Sequence, residues 1–427
     1  MNVLYNRHKE TIENFSWRSL QLFSRYGVTA IIFFAAATLL SPEDLGLLYY
    51  LRTVFFLLMI FCDFGLSYAV SKFVTEYKVS RPEKLNRIAF TIVAFSMSIA
   101  ALFSMGIIIF GRAIFKDNYT YILYFLPYLF LMPLTDILDG IYRGLKEFKA
   151  LALIGSVTGL ISIGISLLLI SRYRLSGAIW SLNIMYLLLF LPLCRFQEIF
   201  KFEFDKSVLV EVFKYALVLG VGGMAGFLYT RVGILILKQF GFVAEIGYYG
   251  LLDSIFQMVF LPFGILGQVI APNTTAYVTV GNVAEIKSKL KKYVIFCAVT
   301  GLVLCAVMYF GIPIGIKIFF PKYNAPGLFL IMNILILLVP FYAWGAVLTQ
   351  GFVAPAGLAK ISVITTLIGG VANLILCYVF INWFGFTGVF WATLVVHSIN
   401  IIIITVYFYA KVGTVKQLND SEKGRWQ

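Results

Sequence analysis

The sequence is poor in charge and in the residues that build catalytic centres. Charged residues make up 13% of its 427 residues, and it has only two histidines and five cysteines. Because a soluble globular chain is about a quarter charged, this low charge excludes a water-soluble protein. The cysteines form no CxxC pair, and the sequence has no Walker, GxSxG or HExxH motif. We therefore predict no enzyme, no catalytic residue, no metal site and no cofactor.

Apolar residues are abundant and arranged in long runs. They make up 61% of the chain, and residues 160–170, which contain no charged residue, are one example. A membrane-spanning helix needs about 20 apolar residues, so about twelve spans would use nearly all of this apolar content. The strands of a membrane β-barrel alternate apolar and polar residues, which these runs do not. The sequence predicts an all-α polytopic membrane protein with about 12 transmembrane helices.

Twelve apolar stretches can be placed along the chain. They lie near residues 19–40, 45–71, 88–110, 121–141, 151–170, 175–194, 212–237, 246–270, 293–316, 328–348, 361–381 and 386–409. The longest connection, residues 195–214, is rich in charge and separates two sets of six. We predict an N-terminal six-helix lobe over residues 1–200. A C-terminal six-helix lobe over residues 201–427 would end in a short cytoplasmic tail.

Basic residues give the orientation. Of the 34 lysines and arginines, 24 lie at the two termini or in loops after even-numbered spans, and seven lie in loops after odd-numbered spans. Positive charge marks the cytoplasmic side, so we expect both termini in the cytoplasm and the protein in the cytoplasmic (inner) membrane. The net charge of +14 is explained by these loops and does not indicate a nucleic-acid partner.

The two halves resemble one another, which predicts two pseudo-symmetric bundles. Ser176–Trp180 matches Thr387–Trp391 at an offset of 211, and Gly140 matches Gly351 at the same offset. Residues 44–46 match residues 245–247 at an offset of 201. Because each half has an even number of spans, the repeat is parallel, with its axis along the membrane normal. This arrangement is typical of transporters that work by alternating access.

Five charged residues lie deep in the predicted spans, at least six residues from either end. They are Arg25, Arg52, Asp63, Arg231 and Asp253. A charge at the membrane centre costs roughly 2.5–3.5 kcal/mol on insertion scales, so such residues usually face a cavity. Three arginines against two aspartates leave the cavity positive, and a guanidinium binds phosphate through two parallel hydrogen bonds. The two aspartates would couple to protons or sodium, or balance charge.

Other interpretations of these residues stay open at the level of sequence. Arg25 could extend to the nearer membrane surface, and Arg231 could pair with Asp253. Asp136, Asp139 and Arg143 are explained by a salt bridge at the membrane interface, without a substrate. His397 is interpreted as a polar residue packed between helices rather than as a proton relay.

Three segments resemble a known family. They are Leu-Ser-Pro-Glu-Asp-Leu-Gly-Leu-Leu-Tyr at 40–49, Asp-Phe-Gly-Leu-Ser at 63–67 and Gly-Ile-Tyr-Arg-Gly at 140–144. They are similar to the Wzx-type polysaccharide and O-antigen flippases of the multidrug/oligosaccharidyl-lipid/polysaccharide (MOP) exporter superfamily. The resemblance covers residues 15–409, but its motifs are loose. They therefore indicate the superfamily better than the substrate.

The resemblance implies a V-shaped pair of six-helix bundles (the MATE-like fold) around a cationic cavity. In the similar lipid II flippases, arginines on the first two helices contact the pyrophosphate of the lipid, which implies this role for Arg25 and Arg52. Arg231 is a third candidate from its place in a span. Those flippases have two further C-terminal spans that this chain lacks, which favours the oligosaccharide branch.

The expected function is translocation of a polyprenyl-pyrophosphate-linked oligosaccharide, a precursor of O-antigen, capsule or exopolysaccharide, by alternating access. The expected partners are this lipid-linked oligosaccharide, the bilayer, and a polysaccharide polymerase with glycosyltransferases. Two alternatives remain. A cation-coupled multidrug antiporter of the same superfamily would carry a net acidic cavity. A membrane-embedded glycosyltransferase or polymerase would need larger outer loops than this sequence has.

Overall fold

The computed structural model describes residues 2–194 and 202–414, and in these ranges the protein is helical without β-strands. It has fourteen α-helices in the described ranges. They are α1 (Asn2–Leu39), α2 (Pro42–Asp63), α3 (Leu66–Ser80), α4 (Pro82–Phe115), α5 (Tyr119–Leu145), α6 (Phe148–Leu193), α7 (Lys206–Thr230), α8 (Val232–Gln239), α9 (Val243–Val280), α10 (Val283–Phe319), α11 (Pro326–Ile336), α12 (Val339–Leu348), α13 (Ala359–Phe384) and α14 (Thr387–Lys411).

The number of spans follows from helix length. In the described ranges, nine helical stretches are long and apolar enough to cross a membrane, or ten if the bent pair α11–α12 counts as one. One stretch, Pro82–Leu145, has 64 residues, and at about 1.5 Å per residue it is three times the membrane core. It consists of α4 and α5 and holds two spans, one in each helix. Helix α6 also holds two spans, which are separated at Arg174, a residue with the non-helical angles φ 51° and ψ −123°. The structure is thus consistent with the predicted twelve.

Three predicted spans are broken helices rather than straight ones. The second breaks where Phe64 and Gly65 both have positive φ, 41° and 81°. The seventh breaks at Arg231, between α7 and α8, and the tenth bends by 44° between α11 and α12. Hydropathy does not distinguish these cases, because a broken helix is as apolar as a straight one.

The chain divides into two compact units, Met1–Met224 and Ala225–Gln427, here called unit 1 and unit 2. The division falls inside α7, because Val208, Val212 and Ala216 of that helix pack into the core of unit 1. The predicted lobe boundary at residues 200 and 201 lies outside the described residues, as does most of the predicted C-terminal tail.

Two of the segments that carry the family resemblance, residues 63–67 and 140–144, meet where α3 packs against α5. A Cβ on Gly140 would collide with the backbone oxygen of Ser67, and one on Gly144 would lie 2.7 Å from the oxygen of Ser71. The Arg143 guanidinium donates to the Ser67 oxygen at 3.4 Å. Only glycine lets the two backbones approach this closely.

The same close approaches recur in both units. Gly140 meets the backbone of Ser67, and its counterpart Gly351 meets that of Gly267. The other matched contacts are Gly159 to Val28 with Gly370 to Leu228, and Gly177 to Leu169 with Gly388 to Phe380. The partners are separated by 200 residues in the early helices and 211 in the late ones. The repeat seen in sequence is therefore also a repeat of helix packing.

Candidate functional site

Unit 1 contains a network of charged side chains on α1 and α5. Arg25 Nη2 lies 2.5 Å from Asp136 Oδ1. Asp139 is paired with Arg143 at 2.8 Å and with Arg18 at 3.8 Å. Gln21 joins the network by accepting from Arg18 and donating to Asp139. Three guanidinium groups thus share two carboxylates.

Sequence reasoning missed that these residues belong together. It assigned Arg25 to a substrate and Asp136 and Asp139 to a separate interfacial salt bridge. The available signal was the spacing, because the α1 members 18, 21 and 25 and the α5 members 136, 139 and 143 both follow i, i+3, i+7. This spacing places each set on one helix face.

The network borders a small cavity of about 40 Å³. Its polar lining includes Gln21, Arg25 and Asp139, with Thr158 and Ser162 of α6 on another wall. The Arg25 guanidinium also lies 6.0 Å from the centre of the Tyr186 ring. A buried water needs about 10–15 Å³ of such volume, so the cavity has room for about three waters and not for a sugar ring.

Arg52 is the predicted arginine for which the described residues provide no carboxylate partner. It lies half-buried on α2, and no acidic side chain among the described residues is within ion-pair distance of it. It interacts electrostatically with the Tyr128 phenol on α5. Among the described residues, no carboxylate therefore neutralises this guanidinium.

Asp63 ends α2 and holds the break that follows. Its carboxylate accepts from the backbone N–H groups of Gly65 (3.1 Å) and Ser67 (3.0 Å) and from the Ser67 hydroxyl (3.2 Å). It is 8% exposed. These contacts satisfy N–H groups at the start of α3, which is the usual task of a capping carboxylate. Its predicted part in coupling or charge balance stays a prediction.

In unit 2, Arg231 pairs with Asp253. Arg231 Nη1 lies 3.0 Å from Asp253 Oδ2, which also accepts from Gln257 Nε2 at 2.6 Å. The ion pair that the sequence left open is therefore formed. Contact of Arg231 with a pyrophosphate would require this pair to separate.

The charged network has no counterpart in the second repeat. At an offset of 200, Arg18 and Arg25 correspond to Val218 and Ala225. At an offset of 211, Asp136, Asp139 and Arg143 correspond to Val347, Gln350 and Ala354. The second repeat has the same close glycine contacts, with uncharged residues at these positions. The close glycine contacts that the two repeats share are therefore made in the second repeat without these charges.

The chain was compared with known proteins. A family model described as "Polysaccharide biosynthesis protein" matches residues 11–278, more than half of the chain. The chain belongs to this family. The predicted relation to polysaccharide proteins is thereby confirmed. No curated protein matches this member of the polysaccharide biosynthesis family in sequence.

Solved structures share its fold. An inward-facing multidrug resistance MATE family transporter of the MOP superfamily is 14% identical, with a TM-score of 0.75 over 94% of this chain and 99% of that one. The lipid II flippase MurJ, inward closed, is 18% identical, with a TM-score of 0.72 over 95% and 91%. A MOP superfamily transporter from Pyrococcus furiosus is 14% identical, with a TM-score of 0.60 over 94% and 96%.

These likenesses confirm the predicted fold class, a polytopic α-helical membrane protein of the MOP type. The same fold serves both drug transporters and a lipid flippase, so the fold alone does not give the task of this polysaccharide biosynthesis protein. All five cysteines are free. In the part of the chain that the structure describes, no three His, Cys, Asp or Glu side chains group as metal ligands.

The Arg25–Asp136 pair can be tested by a double-mutant cycle. Arg25→Gln and Asp136→Asn should each destabilise the purified protein, because each leaves a buried partner charge unpaired. The double variant should recover about 1–3 kcal/mol of that loss. Thermal unfolding in lipid nanodiscs measures all four proteins. Arg112→Gln is the control. Arg112 is an exposed arginine that follows the third predicted span, and its substitution should combine additively with Asp136→Asn. Additive effects of Arg25→Gln and Asp136→Asn would contradict the pairing.

Proposed function

We propose that this polysaccharide biosynthesis protein is a flippase for a polyprenyl-pyrophosphate-linked oligosaccharide. Its cargo would be a precursor of O-antigen, capsule or exopolysaccharide, moved across the cytoplasmic membrane by alternating access. Family membership supports a task in polysaccharide export. The observation that carries the choice of cargo is the cationic set of unit 1. Within the described residues, Arg52 has no carboxylate partner there and three further arginines share two carboxylates.

The chemistry of a diphosphate fits these groups. Each phosphate offers oxygens that a guanidinium fork can bind in two parallel hydrogen bonds. Arg52 would bind first, since it has no carboxylate to release. Arg25 would follow by exchanging Asp136 for a phosphate oxygen, which replaces one ion pair with another. Arg231 would contribute only in a state in which it has left Asp253.

The remaining parts of the proposal concern the setting. The protein would lie in the inner membrane with both termini in the cytoplasm, beside the polymerase and glycosyltransferases that handle the same lipid. Asp63 and Asp253 would balance charge or couple to a cation. Transport of the headgroup, without chemistry on it, would be the whole activity.

Complementation tests the function. The chain is expressed in a strain that lacks its own polysaccharide flippase but still makes the lipid-linked precursor. We expect restored surface polysaccharide and loss of the precursor that accumulates in the deletion strain. Two further measurements separate the alternatives. Increased drug resistance without restored polysaccharide would favour the antiporter, and sugar transfer by the purified protein would favour the transferase. Either result would replace the flippase proposal.

A further inference from the structure

Four buried aromatic rings of unit 1 form a continuous row that crosses three helices. This aromatic row consists of Phe55 on α2, Phe125 and Tyr128 on α5, and Tyr186 on α6. The two phenylalanines are fully buried, and the tyrosines are 3% and 6% exposed. Side chains in a closely packed interior have little room to move independently, so the row is a rigid feature of unit 1.

Successive rings of the row are in direct contact. Phe55 and Phe125 are stacked with centroids 4.9 Å apart. Phe125 meets Tyr128 edge to face at 5.7 Å, and Tyr128 meets Tyr186 in the same way at 5.2 Å. These distances lie in the range of roughly 4.5–7 Å at which aromatic pairs stabilise each other. The row therefore connects α2, α5 and α6 through ring contacts alone.

Each end of the row is associated with one of the two arginines proposed to bind the cargo. The Arg25 guanidinium on α1 lies over the Tyr186 ring, 6.0 Å from its centroid. This is about the distance within which a ring attracts a cation. At the other end, Phe55 follows Arg52 by three residues on α2, a spacing that makes them neighbours on the helix surface. Arg52 also interacts electrostatically with Tyr128.

The contact with Tyr186 is compatible with an exchange of acceptors at Arg25. A guanidinium has five N–H groups, and attraction by a ring face does not use them up. Arg25 can therefore exchange Asp136 for a phosphate oxygen while it remains over the Tyr186 ring. The ring would hold the guanidinium in place during this exchange.

We propose that the aromatic row positions Arg25 and Arg52 relative to one another, so that a diphosphate is bound in preference to a monophosphate. Each arginine would bind one phosphate group of the diphosphate. A monophosphate offers one group, which Arg52 would bind because no carboxylate among the described residues competes for it. This inference rests on the proposed function and adds residues that position the arginines.

The row is not common to the two repeats. At the offset of 211, Phe125 and Tyr128 correspond to Ile336 and Val339. The close glycine contacts that the repeats share are therefore made in the second repeat without the two middle rings. These rings occur in the unit that carries Arg25 and Arg52, as expected of positioning residues.

Binding of prenyl phosphates tests the row. Full-length protein in nanodiscs is titrated with farnesyl diphosphate and with farnesyl monophosphate, and the ratio of the two affinities is the readout. We expect the wild type to prefer the diphosphate by about tenfold or more, because a second guanidinium is engaged. Phe125→Met and Tyr186→Met should reduce this preference to about twofold or less, since methionine fills the space without a rigid ring. The affinity for the monophosphate should stay close to that of the wild type.

Two variants separate positioning from a general loss of core packing. Tyr186→Phe keeps the ring and should keep the preference for the diphosphate. Phe73→Met removes a buried ring on α3, which packs against Tyr77 at 5.7 Å and is not part of the row. It should also keep the preference, whatever its effect on stability. Equal losses of preference in Phe73→Met and Phe125→Met would overturn the proposal, because a loosened unit 1 would explain both.

The arginines provide a test that leaves the row intact. The double variant Arg25→Gln/Asp136→Asn removes both members of the ion pair. It should weaken binding of the diphosphate about tenfold and of the monophosphate less than about twofold, because Arg52 alone binds the monophosphate. Equal losses for the two probes would overturn the proposal. This comparison decides the matter if a methionine variant fails to fold.

The results distinguish this inference from the proposed function. A wild-type preference for the diphosphate that both methionine variants retain would overturn the role of the row alone. Equal binding of the two prenyl phosphates by the wild type would overturn that role as well. Binding of neither would overturn the diphosphate cargo of the proposed function, and this inference with it.

Discussion

Replacing Arg52 with alanine is expected to reduce polysaccharide export about a hundredfold while the protein still folds and inserts. Hydrogen bonds to a charged group contribute about 1.5–3 kcal/mol, and 3 kcal/mol corresponds to roughly a hundredfold in affinity. Folding should be unaffected because, in the part of the chain that the structure describes, Arg52 has no carboxylate partner that its loss would leave unpaired. The measurement is complementation of the flippase-deficient strain, normalised to the amount of protein in the membrane.

Two variants make this result specific. Arg52→Lys keeps the charge but loses the planar fork, so we expect an intermediate loss of about tenfold. Arg112→Ala removes an exposed arginine outside the candidate site and should leave export unchanged. Wild-type export by Arg52→Ala at normal expression would contradict the role of Arg52 in binding the cargo, although it would leave the fold and the family untouched.

Replacing Gly140 is expected to have the largest effect on folding. Its Cβ position is occupied by the backbone oxygen of Ser67, and a backbone atom cannot move aside as a flexible side chain can. Overpacking costs typically about 1–3 kcal/mol, and Gly140→Val should exceed this range because α3 and α5 must separate. We expect Gly140→Ala to lower the thermal unfolding midpoint and Gly140→Val to prevent accumulation of folded protein.

The two units provide graded controls. A Cβ on Gly351, the counterpart of Gly140, would lie 3.2 Å from the Gly267 oxygen, so Gly351→Ala should be milder. Gly164, on α6, has nothing within 4 Å of its Cβ position. Gly164→Ala should be neutral or stabilising by up to about 1 kcal/mol, because alanine favours helix. Equal midpoints for the Gly140 and Gly164 variants would show that α3 and α5 do not pack as closely as described.

Only some residues of the candidate site could be predicted from sequence. Arginines in apolar runs are conspicuous, so Arg25, Arg52 and Arg231 could be named from composition and span placement alone. The carboxylates that pair with these arginines could not be identified in the same way. Asp136 lies 111 residues from Arg25 in the chain. The distance in space between the two side chains depends on how α1, α5 and α6 pack against one another. The shared i, i+3, i+7 spacing of the two charged sets was the one available signal.

Sequence alone determined that this protein is a polytopic helical membrane protein with an internal repeat and arginines within its apolar segments, and it predicted about twelve spans. These features follow from composition, charge and periodicity, which act locally along the chain. Only the tertiary structure decided which arginines are neutralised and where spans are broken. Ion pairing requires two groups within a few ångströms, and helix breaks depend on packing partners such as α7 beside Gly65. Both are set by contacts between residues far apart in sequence.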